Sequence, residues 1–215
     1  MNKERHYSFF DKLCLGADHL LRALMDNPQT TGRPYPAGKE KDSSLAPEEA
    51  KLSAALMRVN HAGEICAQAL YHGQAAVSRQ SATKAKLEQA AIEEGDHLAW
   101  CSRRLVELGS HTSYLNPLWY AGSFMIGMTA GMAGDRWSLG FVAETEKQVV
   151  KHLKGHLEQL PEKDHKSSKI LLQMQQDEEK HRLEAVDLGA MSLPGFIQRG
   201  MSLVSKVMVK VAYWI

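Results

Sequence analysis

Cysteine is scarce in this 215-residue chain, and the three present, Cys14, Cys66 and Cys101, form no Cys-x-x-Cys pair. That excludes a disulfide framework and a thiolate zinc site, and it points to a reducing, cytoplasmic compartment. Charge of one sign is not in excess: 26 Lys and Arg stand against 25 Asp and Glu, which gives no footing for nucleic-acid binding. Strand patterns, low-complexity tracts and short-period repeats are nearly absent. The first residues, Met1 to Tyr7, lack the apolar core of a signal peptide and the Arg- and Ser-rich character of a transit peptide, so neither is expected. Apolar runs are short. One uncharged stretch, Leu118 to Gly134, is about 17 residues long, at the bottom of the range for a membrane span.

Helical periodicity is present almost everywhere else, so the expected class is all-α. A first helix is predicted over Tyr7 to Met25. A loop broken by Pro28, Gly32, Pro34, Pro36 and Gly38 follows, so residues 1–45 read as an N-terminal helix and loop before a single domain over 46–215. A long helix begins with Pro47 in its first turn, preceded by Ser44 or Leu45, and reaches about Arg79. A second covers Thr83 to Leu108 and stops at Gly109. A third has Asp135 as N-cap and ends near Leu160, and a fourth covers Asp164 to Leu188. The final segment, Gly195 to Ile215, is amphipathic, with Lys206 and Lys210 among apolar residues; it either packs on the bundle or lies on a membrane. The uncharged stretch and its continuation to Val142 form either a buried central hairpin or an apolar surface for a membrane or a greasy substrate. Its glycines, Gly122, Gly127, Gly131 and Gly134, would let helices or a lipid chain approach closely.

Glu-x-x-His occurs twice inside predicted helices, at Glu94–His97 and Glu178–His181. Positions i and i+3 share one helix face, so both side chains can reach one site. One such pair is common on solvated faces. Here each pair interrupts an apolar stripe: Leu87, Ala91, Leu98, Cys101 and Leu105 around the first, and Leu171, Met174, Ala185 and Leu188 around the second. Carboxylates almost never sit on such stripes unless a cation pairs with them. Glu64 precedes Glu94 by 30 residues, and Glu146 precedes Glu178 by 32, each on an inward stripe. Glu144 is the rival to Glu146, but its neighbours Gly140, Gln148 and Lys151 make a polar face. The pattern of Glu followed by Glu-x-x-His, twice, is that of a ferritin-like four-helix bundle with a di-metal centre. Four carboxylates and two imidazoles favour iron or manganese over zinc or copper(I). Glu94 and Glu178 are the expected bridges; Glu64, Glu146, His97 and His181 are the terminal ligands. Asp96, Asp177 and His61 are candidates to hold the ligating histidines, though each also reads as a surface residue.

The string Arg58-Val59-Asn60-His61-Ala62-Gly63-Glu64, followed by Tyr71-His72-Gly73-Gln74, resembles the first ligand helix of the demethoxyubiquinone hydroxylase family of ubiquinone biosynthesis. Glu93 to His97, Asn116 to Trp119, Ala143 to Glu146 and Asp177 to His181 also match, and the resemblance runs from about Ala46 to the C-terminus. It implies a ferritin-like bundle with additional N-terminal, apolar central and C-terminal amphipathic helices. It implies two iron ions per chain on the six residues named. The implied reaction hydroxylates the ring of a demethoxyubiquinol with O₂ and two external electrons. An isoprenoid quinol, O₂ and a membrane surface are the implied partners, and the cytoplasmic face of the cell membrane the implied location. A homo-oligomer and other ubiquinone-biosynthesis proteins stand as further partners. No Gly-x-Gly-x-x-Gly follows a strand, so no resident nicotinamide or flavin site is expected. The rival readings are another ferritin-like di-iron oxygenase and an iron-binding ferritin-like protein. The apolar Leu118–Val142 segment argues against a soluble, cage-forming ferritin.

Overall fold

A computed structural model describes residues 17–18, 21–22, 25, 28–41 and 44–215. The helix expected over Tyr7 to Met25 lies for most of its length outside the described residues. Among the described residues there are six α-helices and no strand: α1 (Pro47–Val77), α2 (Ser81–Glu107), α3 (Asn116–Met132), α4 (Asp135–Gln159), α5 (His165–Asp187) and α6 (Gly195–Ala212). The all-α expectation holds.

α1 is the central strut, buried along most of its length. Pro47 opens it, and the Glu49 carboxylate accepts from the Ala46 N–H at 2.7 Å. The N-cap is Ala46, and the acid of the first turn does the capping. α2 and α5 both end on a glycine in the left-handed region, Gly109 at φ 66° and Gly189 at φ 94°. The following amides, Ser110 and Ala190, bond back to Leu105 and Ala185 carbonyls at 2.9 and 3.1 Å, closing both helices in the same way. Asp164 caps α5 by accepting from Ser167 N–H at 3.0 Å and also takes Arg104 Nη2 at 2.8 Å, which ties the start of α5 to the end of α2.

Asp135, expected as the N-cap of α4, is instead its first residue. The N-cap is Gly134, at φ 113°, and the Asp135 carboxylate accepts from Ser78 Oγ and the Arg79 and Gln80 amides at 2.9 to 3.2 Å. The acid thus satisfies the turn between α1 and α2. The uncharged stretch forms α3, packed lengthwise on α1. A Cβ at Gly127 would fall 2.3 Å from Leu70 O, and one at Gly73 2.2 Å from Phe124 O, so these glycines set the close approach of two backbones. They do not line a groove. The outer face of α3 exposes Leu118, Met125 and Met132. No helix among the described residues is long and apolar enough to cross a membrane.

The interior is layered. One apolar cluster joins Met57, Trp100, Cys101, Leu153 and Met174; a second joins Ala67, Tyr71, Ala91, Val142 and Ala185. On α1, α2, α4 and α5 alike, the acidic positions fall between a member of one cluster and a member of the other.

Candidate metal centre

Glu64, Glu94, His97, Glu146, Glu178 and His181 meet in that middle layer, and none is more than 4% exposed. Ligating atoms of Glu64, Glu94, His97 and Glu178 all lie within 4.8 Å of one another. His97 Nδ1 is 3.0 Å from Glu94 Oε2, 3.0 Å from Glu178 Oε1 and 3.4 Å from Glu64 Oε2. His181 Nδ1 is 3.3 Å from both Glu94 Oε1 and Glu178 Oε2. Glu94 and Glu178 therefore each turn one oxygen to one imidazole and the other oxygen to the other. Glu146 joins from α4, where its Oε1 accepts from the Tyr71 hydroxyl. Glu144 stays on the polar face with Lys147 and Gln148.

The second nitrogens of the two histidines are held reciprocally. His97, on α2, places Nε2 3.0 Å from Asp177 Oδ2 of α5; His181, on α5, places Nε2 2.9 Å from Glu93 Oε2 of α2. Each of these acids immediately precedes the Glu of a Glu-x-x-His pair. Asp177 is thus one of the anticipated partners. Glu93 was missed in that role, although an acid before each motif was a visible signal for it, and Tyr71 was missed as the donor to Glu146. Asp96 turns away to Thr31 and Arg33, and His61 lies near Asn116 Nδ2 at 3.5 Å.

The electrostatics of the cluster fall into two groups. Burial, with the charge of Glu94, drives the Glu64 carboxyl well above the usual range, and burial with Glu178 and Glu94 does the same to Glu146. Burial also pushes Glu94 and Glu178 up, but their contacts with the two imidazoles prevail and leave both low. Burial opposes charge on His97 and His181, yet the surrounding carboxylates raise both. The hydrogen bond from His181 holds Glu93 at about 2.

The donor set fits a pair of divalent cations. Glu146 Oε2 is buried without a hydrogen-bond partner, although it is a strong acceptor. Both imidazoles present Nδ1 inward, with Nε2 engaged by an acid, the usual arrangement of a metal-ligating histidine. Two divalent ions would balance four carboxylates with both rings neutral.

A cavity of about 400 Å³ opens beside Glu64, between α1, α3, α4 and α6. Its walls are mainly apolar, including Leu70, Phe141, Val149 and Met208, while Asn60, Thr145, Gln148 and His152 supply polar groups. His152 Nε2 is buried without a partner.

The family model described as ubiquinone biosynthesis protein COQ7 matches residues 51–212. A protein of Nitrosococcus oceani named 3-demethoxyubiquinol 3-hydroxylase is 50% identical over 211 residues, which cover 98% of this chain and 99% of that protein. Proteins of the same name from Stutzerimonas stutzeri and Acinetobacter baumannii are 52% and 50% identical, over 99% and 98% of this chain and 99% and 100% of their own lengths.

Proposed function

This chain belongs to the COQ7 family of ubiquinone biosynthesis proteins, and from that premise we propose that it is a di-iron hydroxylase acting on the ring of 3-demethoxyubiquinol. The observation that supports it most is the buried layer of four glutamates and two histidines, arranged reciprocally around one centre. Glu64, Glu94, His97, Glu146, Glu178 and His181 would hold two iron ions, Glu94 and Glu178 each facing both imidazoles. When bound, the iron pair supplies the reductive activation of O₂, one oxygen atom entering a ring C–H and the other leaving as water with two external electrons and two protons.

The chain's own residues do the rest. Asp177 and Glu93 fix the tautomer and orientation of the histidines. Tyr71 orients Glu146 by donating to it. The two apolar layers exclude water, which would otherwise hydrate the carboxylates and weaken every interaction within the site. The cavity reaches Glu64, so a ring placed there meets the metal side, and its hydroxyls meet Asn60, Thr145, Gln148 and His152. An isoprenoid tail would lie along the apolar wall toward α6. Phe196 and Val204 both line the cavity and are 72% and 58% exposed, which puts the mouth in an apolar surface. That surface, continued by Leu203, Val207 and Trp214 and flanked by Lys206 and Lys210, supports peripheral attachment at the cytoplasmic face of the cell membrane, where such a tail resides.

The test pairs iron analysis with hydroxylation of a demethoxyubiquinol. The parent should hold about two irons and turn over, and His97→Ala and Glu178→Ala should lose most of both. Stoichiometric zinc, or full iron content in both variants, would refute the di-iron assignment. Iron without hydroxylation, and without restoring ubiquinone to hydroxylase-deficient cells, would refute the substrate.

A further inference from the structure

Four helices supply the ligands, but part of the outer wall of the site comes from elsewhere. Residues 28–41 precede the matched family region and cross the seam between α2 and α5. Gln29 lies so close to Gly95, the residue after Glu94, that a Cβ there would fall 1.8 Å from Gln29 O. Thr31 donates its amide to Asp96 Oδ1 at 3.1 Å and its hydroxyl to Oδ2. Arg33 spans both helices: Nε reaches Asp96 Oδ2 at 2.9 Å and Nη1 reaches Asp177 Oδ2 at 2.8 Å. Its guanidinium also sits 4.8 Å from the Trp100 ring centroid, and Trp100 packs against His97.

Asp177 Oδ2 therefore takes Arg33 Nη1 at 2.8 Å and His97 Nε2 at 3.0 Å, while Arg33 Nη2 stands farther from the ring itself, 3.5 Å from His97 Nε2. Among the described residues the other half of the centre has no such clamp. Glu93, which holds His181, has among the described residues only Lys180 as a basic partner besides that ring, 3.6 Å away and 56% exposed. A solvated lysine on a flexible stem fixes an acid weakly, whereas a guanidinium held by two acids and a ring has little freedom left.

We propose that Arg33 is a positioning residue of the metal centre, which clamps Asp177 against His97 and so makes metal at the Glu64–His97 position slower to leave than it would otherwise be. The inference rests on the di-iron reading above. It assigns residues 28–41 to the site, as a strap closing the side away from the cavity.

Iron release to a chelator, followed in time on the fully loaded protein, tests it. Partners of metal ligands typically alter metal affinity by about 10–100-fold. Arg33→Ala and Asp177→Asn should each speed release of one of the two irons by about tenfold and leave the other unchanged, while Glu93→Ala should speed the complementary one. Because the 2.8 Å bond to Asp177 is much the shorter of Arg33's two approaches to this half, the double variant should release little faster than Asp177→Asn alone. If Arg33→Ala fails to fold, Arg33→Lys serves, since one ammonium cannot hold Asp96 and Asp177 together; it too should quicken one phase. Parent-like release, equal acceleration of both irons, or multiplied effects in the double variant would each overturn the proposal. A parent that binds no iron pair would overturn the di-iron reading with it; a loaded parent with an indifferent Arg33 variant would overturn the clamp alone.

Discussion

Gly122 and Gly127 look alike in the sequence, and the structure predicts opposite outcomes for filling them. A methyl at Gly127 would stand 2.3 Å from Leu70 O and 3.0 Å from Leu70 C and Cα, where ordinary contact begins near 3.4 Å. The obstacle is backbone in the middle of α1, so relief requires the two helices to part by about 1 Å. Overpacking of this kind costs about 1–3 kcal/mol, and the upper end applies because no side chain can swing away. The better helix propensity of alanine returns about 1 kcal/mol, leaving a net loss of roughly 2 kcal/mol. For a chain of this size that lowers Tm by roughly 4–8 °C. Gly122 meets nothing within 4 Å, so Gly122→Ala keeps only the propensity gain of up to about 1 kcal/mol and should raise Tm by a few degrees. Thermal unfolding of detergent-solubilised protein by far-UV circular dichroism reads both. A Gly127→Ala protein that melts with or above the parent, or a Gly122→Ala protein that falls equally, would refute the packing of α3 on α1.

Three further outcomes follow from the same geometry. Val204→Trp at the cavity mouth should raise KM for a long-tailed quinol severalfold, leaving iron content and turnover of a tail-less ring unchanged; equal effects on both substrates would place the tail elsewhere. The protein should sediment with membranes and be released by detergent rather than by salt. Phe196→Asp with Trp214→Asp removes roughly 3–6 kcal/mol of apolar burial and should move it to the soluble fraction, and unchanged sedimentation would refute the membrane-facing role of α6. His156 is buried against His152 and bonded to Asn60 Oδ1 at 2.8 Å, and burial, with the charge of His152, lowers it from 6.5 to about 3. Its folded form resists a proton that the unfolded chain accepts, so stability falls as pH drops from 6.5 towards 3, by up to about 1.4 kcal/mol per pH unit. His156→Gln should make that slope shallower by up to one proton in denaturant titrations, and an identical slope would show that His156 charges freely in the fold.

The buried layer of four glutamates and two histidines was legible in the sequence because its physics is local. An acid and a histidine on an otherwise apolar helical stripe need a compensating charge, and the pattern recurs on both halves of the chain. Glu93 was legible in principle, as an acid placed before the motif just as Asp177 is. Arg33 was not. It lies in an aperiodic loop, and its contacts span 63 and 144 residues, distances over which no spacing rule operates. Asp135 shows a different failure. An aspartate at a helix start satisfies amides, but the sequence does not say whose, and here they belong to the turn after α1. Leu188 ended the apolar stripe of α5 on paper, yet it falls at the C-cap, where the helical face no longer continues, and is exposed.

The repeat also accounts for what it does not make equal. Seven residues after Glu64 stands Tyr71, which crosses to Glu146; seven after Glu146 stands Leu153, which serves the apolar layer. His97 is backed by Asp177 under the Arg33 clamp, and His181 by Glu93 beside a solvated lysine. The cavity touches Glu64 and not Glu146. Six buried donors in two like halves would suffice to hold two cations, and a protein that only stored metal would gain nothing from these differences. A ring hydroxylation has a direction: the substrate must arrive from one side, and the metal nearest it must stay put while the opposite wall remains closed. The asymmetries divide along that axis, with the cavity on the α1 and α4 side of Glu64 and the strap across α2 and α5 behind His97. Function in this fold is therefore carried less by the ligands, which the two halves share, than by the surroundings in which the halves differ.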